Sequence, residues 1–148
     1  MLLNTSIEVL FSAIEAAFIA QVLKFIGYLI THKKFNFKIL TTTGGMPSSH
    51  SAGTVALSTS VGLICGFDSI EFAIATGYAL VIMYDAAGLR RSAGKIAASL
   101  NKIMDDFYQG INPSQKLKEL LGHTPFEVFV GAILGVAIAY ANHFVFFI

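Results

Sequence analysis

The sequence predicts an all-α protein whose helices form a multi-pass bundle in a membrane. Of its 148 residues, 55% are hydrophobic and only 13% are charged, and the mean hydropathy is +0.69. A soluble domain carries about 25% charged residues, so this chain has too few charges to cover a solvated surface. The apolar residues also form runs that are too long for a soluble helical core and lack the alternation typical of strands.

Four apolar segments each have about the twenty residues that a helix needs to cross a bilayer. They occupy roughly residues 7–31, 48–66, 70–89 and 124–148. Only a few residues around Asp68 separate the second segment from the third, which predicts an antiparallel helical hairpin. Because no basic region precedes the first segment, we expect it to be retained rather than cleaved as a signal peptide. The length suits a single domain, 1–148, with about four transmembrane helices.

Lysine and arginine residues are concentrated in the two long connections, 32–47 and 90–123. These connections carry nine of the ten lysine and arginine residues, and four spans would bring both connections to the same side of the bilayer. By the positive-inside rule that side is the cytoplasm, and both termini face outwards. The net charge of +1 comes without a basic run interleaved with aromatic residues, so nucleic acid is not an expected partner.

Residues 95–107 have a different pattern, in which apolar side chains recur at helical spacing among polar and charged ones. The apolar positions are Ile96, Leu100, Ile103, Met104 and Phe107. This periodicity predicts an amphipathic helix that lies on the membrane surface or over the bundle.

The most informative stretch is 43–52, Thr-Gly-Gly-Met-Pro-Ser-Ser-His-Ser-Ala. Gly44 and Gly45 allow backbone angles that other residues avoid. Pro47 suits the first turn of a helix, where its missing N–H group costs nothing. The pattern predicts a glycine turn that leads into the second membrane helix.

Three polar side chains fall at the start of this helix: Ser48, Ser49 and His50. Free N–H groups and the helix dipole make a helix N-terminus a site for anions, and the two hydroxyls and the imidazole add hydrogen-bond donors. The alternative is a capped membrane helix with an incidental histidine. The paired glycines and His50 favour the anion site, because a simple cap needs neither.

A second stretch, 122–127, opens the last apolar segment in a similar way. Thr124 and Glu127 fit a capping box, and Pro125 fits the first helical position. Glu127 also follows His123 by four residues, so its carboxylate could accept a hydrogen bond from one imidazole nitrogen. That contact would leave the other nitrogen available, as a nucleophilic histidine requires. Both roles of Glu127 are open at this stage.

Further candidates are charged residues within or next to apolar segments. Asp85 lies at the end of the third segment, where a carboxylate is a functional candidate with a basic partner. Arg90 and Arg91 offer planar forks that suit phosphate oxygens, although they could instead anchor the helix end. Lys24, within the first segment, either joins a polar site or extends to the lipid headgroups.

Two histidines at the starts of membrane helices, with cationic side chains nearby, have the composition of a phosphoryl-transfer site. One histidine would attack phosphorus and the other would protonate the leaving oxygen. Cations and helix N–H groups would hold the equatorial oxygens. The sequence contains no H-E-x-x-H motif, paired cysteines or aspartate-rich loop, so we expect neither a metal nor another cofactor.

These stretches resemble the divergent PAP2 family, a DUF212-type group related to acid phosphatases and vanadium-dependent haloperoxidases. The resemblance covers almost the whole chain and rests on residues 21–24, 43–52, 85–94 and 120–128. It implies a PAP2-like helical membrane bundle. It also implies that His123 is the nucleophile and forms a phosphohistidine, that Glu127 orients it, and that His50 is the general acid.

The same resemblance implies a set of phosphate-binding residues: Lys24, Ser48, Ser49, Arg90 and Arg91. The expected supporting residues are Gly44, Gly45 and Asp85. The expected function is therefore a metal-independent phosphatase or phosphotransferase that acts on a phosphorylated membrane lipid or another small molecule that bears a phosphate.

Other functions are also compatible with the sequence. A non-catalytic membrane protein could use the retained phosphate site to bind or move an anionic lipid, and an assembly protein would not need the site at all. Gly131 and Gly135 have the spacing that permits close helix packing, either within the chain or between chains in a homo-oligomer.

Overall fold

A computed structural model describes residues 6–33, 35, 44–107, 116, 117 and 122–147, and the side chains of all of these except 89–91, 146 and 147. Over these residues the protein is helical and contains no strand. The helices are α1 (Ser6–His32), α2 (Ser49–Cys65), α3 (Ile70–Ala87), α4 (Leu89–Phe107) and α5 (Pro125–Asn142), and α5 continues into a π-helical turn, His143–Phe147. The predicted all-α membrane bundle is confirmed.

Three helical stretches of the described chain are long and apolar enough to cross a membrane: Ser6–His32, Ile70–Phe107 and Pro125–Val145. The sequence predicted about four such spans. The difference concerns α2, which has 17 residues and is rich in serine, threonine and glycine. At 17 residues, α2 is slightly shorter than the roughly twenty residues that a membrane-spanning helix needs.

Helix α2 lies at the centre of the bundle and packs against α1, α3 and α5. The core that it forms with α1 and α5 consists mainly of alanine: Ala16, Ala20, Ala52, Ala56 and Ala139 are all fully buried. In lipid, helices associate through close packing of small residues, because lipid tails are as apolar as the side chains. The large side chains accordingly point outwards; Ile14, Phe18, Ile74, Val81 and Phe129 are all more than half exposed.

Two glycines of α5 allow it to approach the backbone of α2 closely. A Cβ atom on Gly131 would collide with the carbonyl oxygen of Ser48, and one on Gly135 would collide with that of Ala52. The Gly131–Gly135 pair therefore serves packing within the chain, which is one of the two alternatives left open by its spacing.

The predicted hairpin and amphipathic helix are both present. Residues 66–69 join α2 to α3, where the Ser69 hydroxyl accepts a hydrogen bond from the Phe72 N–H group (3.1 Å). Helix α4 is longer than predicted and exposes Ile96, Leu100, Ile103 and Phe107. This exposed apolar flank has the character of an interfacial helix.

Candidate functional site

The starts of α2 and α5 and the end of α3 meet at one end of the bundle. The N–H group of Ser48, before α2, donates to the carbonyl oxygen of Glu127 in α5 (3.1 Å). The N–H group of His123, before α5, donates to the carbonyl oxygen of Ala86 at the end of α3 (2.9 Å). The second half of α1 completes the site through Lys24. The two motif stretches, far apart in sequence, therefore become neighbours.

The glycine turn before α2 has the backbone angles that its sequence predicts. Gly44 and Gly45 have φ values of 104° and 84°, in the left-handed region that glycine tolerates best. A Cβ atom on Gly44 would lie only 3.2 Å from the carbonyl oxygen of Gly122. A Cβ atom on Gly45 would lie 3.4 Å from Cδ of Lys24. The two glycines thus let the turn fit between the start of α5 and α1.

The start of α2 differs from the sequence prediction in the position of Pro47. Ser48 is the N-cap residue and the helix begins at Ser49, so Pro47 precedes the cap and is not in the first turn. The prediction for Pro47 was wrong because the fully buried Ser48 hydroxyl takes the capping role. This hydroxyl accepts hydrogen bonds from the N–H group (3.4 Å) and hydroxyl (3.1 Å) of Ser51.

His123 is buried, and Glu127 fixes its orientation. Its Nδ1 atom lies 3.1 Å from Oε2 of Glu127. The same carboxylate oxygen accepts the N–H group of Thr124 (3.1 Å), while the Thr124 hydroxyl accepts the N–H group of Glu127 (3.3 Å). Glu127 therefore caps α5 and contacts the imidazole at once, and the two roles suggested by the sequence coexist.

The protonation of His123 reflects this surrounding. Burial lowers the pKa of His123 below its ordinary value, and the charge of Lys24 lowers it further. Glu127 raises the pKa through its hydrogen bond and its charge, and a backbone hydrogen bond at Gly45 raises it too. Burial is the larger effect, so the pKa is lowered. The imidazole is therefore neutral at neutral pH, with Nδ1 directed at the carboxylate.

Lys24 brings a buried ammonium group to the same end of the bundle. Its side chain is only 6% exposed, its stem lies against Gly45, and Nζ makes no hydrogen bond within the described part of the chain. The lysine thus does not extend to the headgroups, which was the alternative. A buried ammonium without a hydrogen-bond partner is well suited to receive an anion.

His50 is exposed in the first turn of α2 and lies beside His123. The centroids of the two rings are 6.4 Å apart, with an interplanar angle of 64°. Ser49 is buried next to it. Asp85 is half-buried near the end of α3, one residue before the carbonyl that His123 binds.

Arg90 and Arg91 belong to the first turn of α4, and their side chains lie outside the described ones. Among the described residues, no group of three histidine, cysteine, aspartate or glutamate side chains could hold a metal ion.

An open groove of about 490 Å³ begins at Ser49 and His50 and follows α1 and α2 into the apolar part of the bundle. It is lined mainly by apolar or small side chains: Ala13, Ala17, Phe18, Gly53, Leu57 and Tyr78, with Gln21 and Thr54. Sequence reasoning missed this groove. The signal was the pair Ala13 and Ala17, one turn apart on α1, whose small side chains line the groove beside Gly53 of α2.

Comparison with known proteins identifies relatives of this chain. The family model described as the divergent PAP2 family matches residues 5–138. The membrane protein YuiD of Bacillus subtilis (strain 168) is 43% identical in an alignment over 139 residues, which covers 86% of this chain and 88% of that protein. No solved structure matches the chain. Together with the apolar helices, the relative supports an integral membrane protein, and the match confirms the predicted resemblance: this chain belongs to the divergent PAP2 family.

Proposed function

We propose that this protein is a phosphatase or phosphotransferase that acts on a phosphorylated membrane lipid through a phosphohistidine. One observation carries the proposal: a buried His123, held at Nδ1 by Glu127, lies beside His50 at a helix N-terminus. The lowered pKa of His123 supplies the neutral imidazole that a nucleophile needs. The family to which the chain belongs is compatible with phosphatase chemistry.

The first step would form a bond between Nε2 of His123 and phosphorus and break the bond from phosphorus to the lipid oxygen. The His50 imidazolium would give its proton to that oxygen, so the lipid leaves as an alcohol. Glu127 would stabilise the positive charge that develops on His123. In the second step, water attacks phosphorus, His50 takes a proton from the water, and the P–N bond breaks to release phosphate.

The phosphoryl oxygens would be held by charge and by backbone N–H groups. Lys24 supplies a buried ammonium without a hydrogen-bond partner among the described residues. The first turn of α2, which begins at Ser49, lies at the positive end of a helix dipole, and this position favours an anion. Arg90 and Arg91 are proposed as further phosphate ligands on the basis of their motif alone. The Ser48 hydroxyl, engaged by Ser51, would act chiefly by fixing the turn.

The groove supports a lipid as the substrate. It opens at Ser49 and His50 and continues between α1 and α2 along side chains such as Ala17, Phe18 and Leu57. A phosphorylated headgroup at the histidines would thus have an apolar path for its tail. A small water-soluble phosphate would leave this path empty and lose the binding energy of about 0.8 kcal/mol per buried methylene.

Phosphate release by the purified protein in lipid nanodiscs tests the proposal. A panel of lipid phosphates and a generic aryl phosphate serve as substrates. His123→Ala should reduce release by at least about a thousandfold, because the variant lacks the proposed phosphoryl acceptor. His50→Ala should cost about 10²–10⁴-fold, as expected for a general acid. The control is His32→Ala: this exposed histidine stacks on Tyr28 at the end of α1 and should leave activity unchanged.

A second candidate is a non-catalytic protein that binds or moves an anionic lipid. It is favoured by the position of Glu127, whose oxygen already has a structural role in the cap of α5. Lipid phosphate that binds to the wild type and competes with vanadate, without any turnover, would support this candidate. Equal turnover by the wild type and His123→Ala would contradict the proposed mechanism.

A further inference from the structure

Gln21 of α1 places an amide in a mainly apolar groove, and the proposed function gives it no role. Gln21 lines the groove together with Ala17 and Ala13. These three residues follow one another at intervals of four along α1, so they lie on one face of the helix. This wall of the groove therefore consists of two alanines and one amide.

The position of Gln21 along α1 lies between the phosphate site and the path for the tail. Lys24, three residues later, lies against Gly45, and Ala17, four residues earlier, lies beside Gly53 of α2. At 1.5 Å per residue, Gln21 is about 4.5 Å from Lys24 and about 6 Å from Ala17 along the helix axis. A lipid with its phosphate at Lys24 and its tail along Ala17 would pass Gln21 with the atoms that join the two.

The amide oxygen of Gln21 has no hydrogen-bond partner in the part of the chain that the structure describes. The side chain as a whole is half-buried, but Oε1 is buried and accepts no hydrogen bond there. A buried carbonyl oxygen without a hydrogen bond is unfavourable. The last torsion of a glutamine side chain is broad, so the amide can turn this oxygen toward a donor in the groove while α1 stays in place.

The chemistry of this oxygen limits the group that can bind it. A carbonyl oxygen only accepts hydrogen bonds, so the unprotonated oxygens of a phosphate cannot satisfy it. Thr54, which lines the groove from α2, is already engaged, because its hydroxyl donates to the carbonyl oxygen of His50 (2.8 Å). The missing partner of Gln21 is therefore a donor on the ligand, either a hydroxyl or an N–H group.

We propose that Gln21 selects phosphorylated lipids that carry a hydrogen-bond donor next to the phosphate group. The inference rests on the proposed function for the place of the phosphate, and it adds the substrate class. A hydroxyl or an amide N–H group at the second carbon of the lipid backbone would donate to Oε1 of Gln21. A plain alkyl or isoprenoid phosphate has no such donor and would leave the oxygen unpartnered.

Binding of non-hydrolysable phosphonates to the full chain in phosphatidylcholine vesicles tests this selection. The lipids share one oleyl chain and differ only at the second carbon, which carries a hydroxyl, an acetamido group, a methoxy group or hydrogen. A donor-bearing lipid, with the hydroxyl or the acetamido group, should bind about tenfold more tightly than the methoxy and unsubstituted lipids. Competition with a radiolabelled phosphonate measures the affinities, and the two donor-bearing lipids distinguish a hydroxyl from an N–H group.

Substitution of Gln21 tests whether this residue causes the preference. Gln21→Met keeps the length of the side chain but has no amide oxygen, so the ratio of affinities should fall to near one. The matched control Thr54→Val removes a hydroxyl in the groove that is already engaged and should keep the wild-type ratio. A preference that persists in Gln21→Met, or that disappears equally in Thr54→Val, would overturn the proposal.

Two further results would also overturn the proposal. One is a wild-type preference below about twofold, which is less than a net hydrogen bond contributes and needs no variant that might fail to fold. The other is an equal loss of affinity for inorganic phosphate in Gln21→Met, which would make Gln21 a phosphate ligand.

The phosphonates also separate this inference from the proposed function, because they bind without turnover. A preference for donors, without phosphate release from the matching phosphate esters, would support the selection by Gln21 and contradict the proposed chemistry. Failure of every phosphonate to bind would overturn both.

Discussion

A single carboxylate oxygen connects structure and chemistry at the candidate site. Oε2 of Glu127 receives both the Thr124 N–H group and Nδ1 of His123. The helix cap holds the carboxylate still, and the carboxylate in turn fixes the orientation of the imidazole. Precise placement of a nucleophile usually requires such a supporting contact.

The two roles of Glu127 can be separated by a pair of substitutions. Thr124→Ala removes the hydroxyl of the cap and should lower the free energy of unfolding by about 1 kcal/mol with most activity retained. Glu127→Gln keeps an oxygen for the cap but removes the charge that stabilises the imidazolium. It should reduce kcat on the order of 10²–10⁴-fold with little change in stability. Equal losses of activity in the two variants would contradict this division.

The pH dependence of kcat/KM follows from the lowered pKa of His123. The neutral imidazole is the reactive form, so activity should persist as the pH falls below the ordinary histidine range and then decline when His123 takes up a proton. Lys24→Met removes a charge that lowers this pKa, so the acid limb of the profile should move to higher pH. An acid limb that stays in place in Lys24→Met would show that another group controls it.

At the scale of elements, the crossing of α2 and α5 determines the geometry of the site. Gly131 and Gly135 bring the backbone of α5 against the carbonyl oxygens of Ser48 and Ala52. Through this contact, the N-termini of the two helices, and with them His50 and His123, lie side by side. Small residues therefore matter here for their lack of volume.

A single methyl group tests the crossing. Gly135→Ala places a Cβ atom against backbone, which cannot move aside like a side chain, and should destabilise the protein by about 1–3 kcal/mol. Gly77→Ala on α3 is the matched control, because a Cβ atom there meets nothing within 4 Å. This control should be neutral or gain up to about 1 kcal/mol from helix propensity. Unfolding in denaturant measures the free energy of unfolding of both variants. Equal changes in the two variants would contradict the close contact of α2 and α5 at Gly135.

For the whole molecule, the described ends of the chain meet, since Glu8 near the start of α1 contacts His143 after α5. Both ends of the bundle contain polar groups, with an alanine core between them. The positive-inside argument predicts that the end with His50 and His123 faces the cytoplasm and that the end with Glu8 and His143 faces outwards.

Labelling of introduced cysteines by a membrane-impermeant thiol reagent tests this orientation. The background is Cys65→Ser, which removes the only cysteine. Asp68→Cys, in the connection between α2 and α3, should react in intact cells. Lys33→Cys, after α1, should react only after permeabilisation. The reverse pattern would contradict the predicted orientation but leave the chemistry of the site untouched.

Local patterns predicted much of this architecture. The apolar runs predicted α1, α3 and α5, and the four-residue spacing of His123 and Glu127 predicted their contact, because both features depend on one helix at a time. The pairing of Glu8 with His143 and the groove beside Ala17 were not predicted. They depend on how distant helices pack, and no periodicity in the sequence encodes that packing.

Trapping of the covalent intermediate tests the central claim most directly. The purified protein is mixed with a ³²P-labelled lipid phosphate, quenched in alkali, which preserves phosphohistidine, and mapped by mass spectrometry. Labelled phosphate is expected on His123 in the wild type and should be absent in His123→Ala. The label should accumulate in variants in which water attacks the phosphohistidine more slowly. Turnover of the same lipid with no phosphate on His123 at any quench time would contradict the central claim.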